Sequence, residues 1–174
     1  AASVNAVSIL TGTGYASANY GVWGGGAAAV FFFLMFVGGC AGSTTCSVKI
    51  FRYQIALSAL IAFVKQYARP HAVHPVRYRG KALNDATLRS VTGFIFLFFL
   101  SFAVSAALLS AIGLDPVTAV SGAATTLANV GPGLGPIIGP SGTFQSLPDE
   151  AKWVMIATML VGRLEIFTDR KSVV

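Results

Sequence analysis

No Asp, Glu, Lys or Arg occurs anywhere in residues 1–48, and none occurs in residues 90–114. Stretches that long without charge are what a bilayer-spanning helix requires, since crossing the hydrocarbon takes about 20 apolar residues. The helices of a soluble core are amphipathic and carry charge on the face turned to water. Only 10% of the 174 residues are charged, against about 25% in a soluble domain. The chain therefore reads as an all-α membrane protein.

The charge that is present is concentrated. Eight of the twelve Lys and Arg lie in residues 49–89, where Asp85 is the only acid. A short basic connector between spans reads as cytoplasmic under the positive-inside rule. No nucleic-acid recognition motif accompanies it, so no nucleic-acid partner is expected. Cys40 and Cys46 form C-x5-C, which fits no zinc pattern, and read as reduced packing residues. His71 and His74 lack further ligands and read as loop residues. No signal peptide is visible, and the first residue is Ala1 rather than Met, so the chain is expected to be an internal piece of a longer protein.

Residues 1–10 read as a short helix that meets the Gly-rich turn Thr11-Gly12-Thr13-Gly14-Tyr15. Residues 24–67 would form one helix about 66 Å long at 1.5 Å per residue, twice the hydrocarbon thickness of about 30 Å. The expected break is Gly38-Gly39-Cys40-Ala41-Gly42-Ser43-Thr44-Thr45, because each Gly costs about 1 kcal/mol in a helix interior. Non-helical backbone at that depth must be buried or line a wet cavity; close packing of small residues is the alternative. A helix resumes over 48–67, a polar loop covers 68–89, and 90–113 is the cleanest span. Asp115-Pro116 then supplies an N-cap and a first-turn proline for a helix over about 116–127, too short to cross. Asn129-Val130-Gly131-Pro132-Gly133 ends it, 134–148 reads as a linker, and Pro148-Asp149-Glu150 opens the last helix with acids suited to its dipole.

Residues 90–168 thus read as span, short re-entrant helix, extended loop, span, and residues 1–67 repeat the last three parts. Placing Gly14 on Gly131 also places Leu10 on Leu127 and Ser8 on Thr125. Internal repeats of this kind belong to transporters and channels. A cation crossing a membrane exchanges its hydration shell for protein oxygens, and a ring of backbone carbonyls supplies them without net charge. Thr-Gly-Thr-Gly-Tyr is close to the Thr-Val-Gly-Tyr-Gly type of potassium filter, and Asn-Val-Gly-Pro-Gly is a poorer copy. Arg163 lies about 20 Å along the last helix. A central Arg costs about 2.5–3.5 kcal/mol on insertion scales and so faces a wet cavity or a partner; snorkelling to the interface is the other reading. Glu165, two positions on, points to a different face.

At several places the residues resemble the TrkH-type potassium transporter subunits of the Trk/Ktr superfamily. They do so in Val-Gly-Gly-Cys-Ala-Gly-Ser-Thr-Thr-Cys-Ser-Val-Lys over 37–49, in Arg-Pro-His-Ala-Val from Arg69, and in Leu-Ala-Asn-Val-Gly-Pro-Gly from Leu127. Gly-Arg-Leu-Glu-Ile-Phe-Thr from Gly162 and Ser-Ile-Leu-Thr-Gly-Thr-Gly-Tyr-Ala-Ser from Ser8 extend the likeness over residues 1–168. The resemblance implies four pseudo-repeats around one pore in a bacterial inner membrane, with most of the third (1–67) and fourth (90–168) present here. It implies a potassium filter that includes Thr11, Gly12, Thr13 and Gly14 with Asn129, Val130 and Gly131. It implies that Gly38, Gly39, Cys40, Ala41, Gly42, Ser43, Thr44 and Thr45 form an intramembrane gating loop, and that Arg163 is an electrostatic barrier in the pore. It further implies a homodimer, a cytoplasmic ring of nucleotide-binding, TrkA-like regulatory subunits, potassium as the transported ion and no covalent cofactor.

Two departures stand out. After the Gly-rich core the family commonly continues Ala-Gly-Gly-Ile-Lys, where this chain has the bulkier Thr45-Cys46-Ser47-Val48-Lys49. After Thr168 the family stays apolar, whereas Asp169-Arg170-Lys171-Ser172-Val173-Val174 is the translation of a common sequencing adapter and is expected to be a non-native tail. The rival readings are a sodium-permeable or poorly selective relative, a membrane enzyme using Cys40 or His71, and a non-conducting subunit. Neither Cys40 nor His71 has an acid or base partner at a suitable depth, so no enzymatic activity is expected.

Overall fold

The computed structural model describes residues 1–40, 43, 45–68, 75–78 and 80–164. Helices dominate: α1 (Ala2–Thr11), α2 (Gly25–Phe36), α3 (Ile50–Ala68), α4 (Asp85–Ala111), α5 (Pro116–Ala128), the single turn α6 (Gly135–Ile138) and α7 (Asp149–Leu164). The protein is all-α, and among the described residues the strands are β1 (Arg77–Tyr78) and β2 (Lys81–Ala82), paired as a short hairpin.

Local chemistry explains most boundaries. Asp115 caps α5 by accepting the Val117 N–H at 3.2 Å, with Pro116 in the first turn. Asn84 accepts the Ala86 N–H at 3.4 Å and starts α4 at Asp85. That start is five residues before the expected span of 90–113, because the helix runs beyond its apolar section into the basic connector and takes Asp85 and Arg89 with it. The hairpin also lies in that connector, within the expected polar loop 68–89. The proposed linker 134–148 contains α6 and a 3-10 turn (Phe144–Ser146).

The break between α2 and α3 falls at 37–49, around the expected 38–45. The chain does not simply unwind there, because its two limbs close on each other. The Gly38 N–H donates to the Val48 carbonyl at 3.0 Å and the Ile50 N–H to the Gly39 carbonyl at 3.3 Å.

α5 sits at the centre, packed by α4, α7 and α2. Every residue from Ser121 to Ala128 is buried, and all but Leu127 are small or hydroxylated. Small residues let helices approach closely in a membrane, and Gly122 shows how closely. A Cβ there would lie 2.9 Å from the Met155 methyl of α7. Around α5 gathers a core of Ile9, Phe31, Met35, Phe36, Phe94, Phe98, Leu127 and Val130. Apolar side chains also cover the outside: Phe96, Phe99, Leu100, Val104 and Leu108 on α4 and Leu57, Leu60 and Phe63 on α3 are exposed. α4, with 27 residues, is long and apolar enough to cross a bilayer, and an outward apolar face of this size suits lipid or further protein rather than water.

Among the described residues of the 49–89 segment, one basic side chain is buried. Arg52, in α3, is 3% exposed, with its guanidinium 3.8 Å from the centre of the Phe94 ring of α4. Cation–π packing of this kind ties the two helices together.

Candidate ion pathway and gating loop

The two Gly-rich turns have the same local structure. In the register that places Gly14 on Gly131, Gly12 falls on Asn129, and both end their helix in the left-handed region at φ 69° and 53°. Asn is among the few side-chain-bearing residues that visit this region routinely, which explains how the second turn dispenses with one glycine. Thr13 N–H donates to the Ser8 carbonyl at 3.0 Å, and its counterpart Val130 N–H donates to the Thr125 carbonyl at 3.0 Å. Gly14 N–H reaches the Ser8 carbonyl at 3.4 Å, and Gly131 N–H reaches the Thr125 hydroxyl at 3.1 Å. That hydroxyl donates onward to the Pro132 carbonyl at 3.1 Å. The N–H groups of both turns are thus turned back onto the helices before them. Among the described residues no hydrogen bond ends on the carbonyls of 11–14 or 129–131.

The turns also meet. Gly14 and Gly131 have φ of +75° and +115°. A Cβ on Gly131 would lie 3.6 Å from the Gly14 Cα, whereas one on Gly14 would collide with the Val130 carbonyl oxygen. Each turn follows the C-terminal end of its helix, α1 or α5, so the partial negative charge of both helix ends is directed at the same place.

Part of the 38–45 loop lies against this pair. Thr45 is nearest to Gly12: a Cβ on Gly12 would touch its methyl at 3.6 Å. Within the loop, the Ser43 and Thr45 hydroxyls are hydrogen-bonded to each other, and the Ser43 N–H donates to the Cys40 carbonyl at 3.1 Å. Gly39 packs on Thr45 so closely that a Cβ would collide with its hydroxyl, and a Cβ on Gly38 would lie 2.6 Å from the Cys46 carbonyl. Of the expected loop residues, Ala41, Gly42 and Thr44 lie outside the described residues, as do His71, His74 and Glu165.

Two side chains to which the sequence reading gave no role hold the break in place. The last carbonyls of α2 have no helical partner. Ser47 Oγ donates to the Met35 carbonyl at 2.6 Å, and Tyr53 Oη to the Phe36 carbonyl at 3.0 Å. Ser47 does this at φ 69°, a conformation natural to Gly and costly for Ser. The hydroxyl compensates for that strain. The departure from Gly at this position is the signal from which an anchoring role is legible.

Arg163 lies on the turn of α7 nearest these elements. Its Nη1 donates to Cys46 Sγ at 3.3 Å. Gly162 beside it is pressed against α5, where a Cβ would collide with the Leu127 carbonyl. Asn129 Nδ2 donates to the Met159 carbonyl at 3.1 Å. Met159, Gly162 and Arg163 share one face of α7, so the end of α5, the second turn and the 37–49 loop all rest on it. Among the described residues no group of three or more His, Cys, Asp and Glu could hold a metal ion.

Comparison with known proteins places the chain in one family. A family model described as TrkH, cation transport protein, matches residues 1–170. The chain is 51% identical over 164 residues to the Trk system potassium uptake protein TrkI of Halomonas elongata, covering 94% of this chain and 33% of that protein. It is 37% identical over 162 residues to the Trk system potassium uptake protein TrkH of Vibrio parahaemolyticus, covering 93% of this chain and 33% of that protein. The crystal structure of the potassium transporter TrkH from Vibrio parahaemolyticus superposes with a TM-score of 0.83 at 36% identity, over 91% of this chain and 33% of that one. The chain spans about a third of the length of these relatives. By family match, sequence identity and shared architecture, it belongs to the TrkH family of cation transport proteins.

Proposed function

We propose that the full-length protein conducts potassium ions through a channel-like pore in a bacterial inner membrane, and that this chain supplies the third and fourth of four pore repeats. Residues 11–14 and 129–131 act as two segments of the selectivity filter. The observation that carries this reading is the hydrogen bonding of the two turns. Their N–H groups are committed to the preceding helices, while their carbonyls accept nothing within the described residues. Carbonyl oxygens left available on converging backbone, at the negative ends of two short helices, are what a dehydrating potassium ion needs.

The loop 38–45 acts as the gate. It lies against the first filter turn through Thr45 and leads directly into α3 and the basic connector. A cytoplasmic nucleotide-binding regulatory subunit, TrkA-like, engages that connector and withdraws the loop by pulling on α3. Arg163 places a fixed positive charge beside the loop and raises the barrier to cations. The working protein is a homodimer, and potassium is its cargo, with no covalent cofactor.

The test uses the full-length parent in proteoliposomes with and without the regulatory subunit. Deleting residues 39–43 is expected to give high potassium flux that no longer depends on the partner, and Arg163→Ala to raise flux. A deletion variant that inserts normally and keeps partner-dependent flux at the parental level removes the gate assignment. Absence of potassium flux from the reconstituted parent removes the pore reading itself.

A further inference from the structure

Cys46 places a sulfur on the loop directly opposite the last turn of α7. Its sulfur accepts the Arg163 Nη1 donor at 3.3 Å, and the residue is only 7% exposed. The segment carrying it is fixed on both sides. Thr45 before it packs at Gly12, and Ser47 after it is anchored to the Met35 carbonyl. The backbone that carries Arg163 is also held, because Gly162 abuts the Leu127 carbonyl and the Met159 carbonyl, one turn back, receives Asn129, while the Arg163 side chain itself is exposed and reaches Cys46 along the surface of the loop. A continuous set of contacts therefore runs from the second filter turn through α7 and Arg163 to Cys46 and the loop.

We propose that Cys46 is a positioning residue for Arg163: its thiol latches the guanidinium to the loop, so that the pore charge stays in place while the loop is folded in and is released when the loop withdraws. The proposal rests on the pore and gate reading given above. A thiol suits the task because sulfur is a weak acceptor. The latch holds the charge without the strength of a carboxylate pair, which would neutralise the barrier and resist opening. A Gly in this position offers no acceptor.

The experiment is a double-mutant cycle on the full-length parent in proteoliposomes, measuring potassium flux without the regulatory subunit. Cys46→Ala is expected to raise this closed-state flux by about three-fold to ten-fold, the range of an ordinary hydrogen bond rather than of a strong charged one, because sulfur is a weak acceptor. Cys46→Ser, whose hydroxyl can accept the same donor, is expected to return flux toward the parental value. Adding Cys46→Ala to Arg163→Ala is expected to change nothing further, since the latch has no charge left to hold. Independent multiplication of the two effects, or a Cys46→Ser variant as leaky as Cys46→Ala, overturns the proposal. If Cys46→Ala does not fold, labelling by a cationic methanethiosulfonate, which the Arg163 guanidinium repels, replaces flux in a Cys40→Ser background. Arg163→Ala is then expected to make Cys46 react several-fold faster, and an unchanged rate overturns the latch. Gly131→Ser serves as the control for the underlying reading. A shift in its potassium-over-sodium selectivity alongside a failed cycle rejects the latch alone, whereas unaltered selectivity rejects the filter assignment and the latch with it.

Discussion

Replacing Gly14 by Ala adds one methyl group at the point where the two Gly-rich turns touch, and the geometry predicts an asymmetry with Gly131. Both positions have positive φ, +75° and +115°. Either Ala therefore carries backbone strain of about 1–3 kcal/mol. The surroundings differ. At Gly131 the nearest atom to a new Cβ is the Gly14 Cα at 3.6 Å, an ordinary contact. At Gly14 the methyl is driven into the Val130 carbonyl, with Pro132 Cδ a further 3.3 Å contact. Val130 cannot retreat freely, because its N–H is tied to the Thr125 carbonyl at 3.0 Å. Overpacking of this kind costs about 1–3 kcal/mol more, and it falls on a carbonyl that the account uses to coordinate the ion. Gly14→Ala should therefore lower potassium-over-sodium selectivity at least ten-fold, equivalent to about 1.4 kcal/mol, and Gly131→Ala by distinctly less. The assay is the selectivity ratio from proteoliposome flux of the full-length parent, with thermal stability in detergent as the control for folding. A well-folded Gly14→Ala with parental selectivity, or Gly131→Ala as the more damaging change, would refute the reasoning.

Ser47→Ala should destabilise the protein by about 1–3 kcal/mol, because the Met35 carbonyl is left buried without its donor; a melting temperature equal to that of the parent contradicts this. Ser47→Gly removes the same bond but also the strain at φ 69°, so it should be milder than Ala in the same melting experiment. Gly162→Ala should be among the most damaging single-methyl changes in α7, since the methyl meets the Leu127 backbone rather than a movable side chain; expression and melting behaviour like those of the parent would show that α7 does not seat as described.

What was legible in the sequence was local. Three glycines in eight residues marked the interruption between α2 and α3, and Asp115-Pro116 marked the start of α5. The Gly-rich turns identified where α1 and α5 end. What was not legible was which distant pieces meet. Nothing in the order of residues says that Gly14 abuts Val130, that Gly162 abuts Leu127 or that Arg163 reaches Cys46, because these contacts are set by how the helices close on one another. Arg52 carries the same lesson. Its charge groups it with the basic connector, but its place in α3 turns it onto Phe94. The hairpin at 77–82 was missed because two-residue strands leave no periodicity to detect. The anchoring by Ser47 could have been inferred, since a residue with a side chain where the family motif has Gly needs a compensating contact.

The most direct test of the central claim is to locate the permeant ion. Anomalous diffraction from crystals of the full-length protein grown with rubidium or thallium in place of potassium would do so. Density is expected between the carbonyls of 11–14 on one side and 129–131 on the other, and is expected to be lost in Gly14→Ala. Well-ordered density elsewhere along the pathway, with none between these two turns, would contradict the claim.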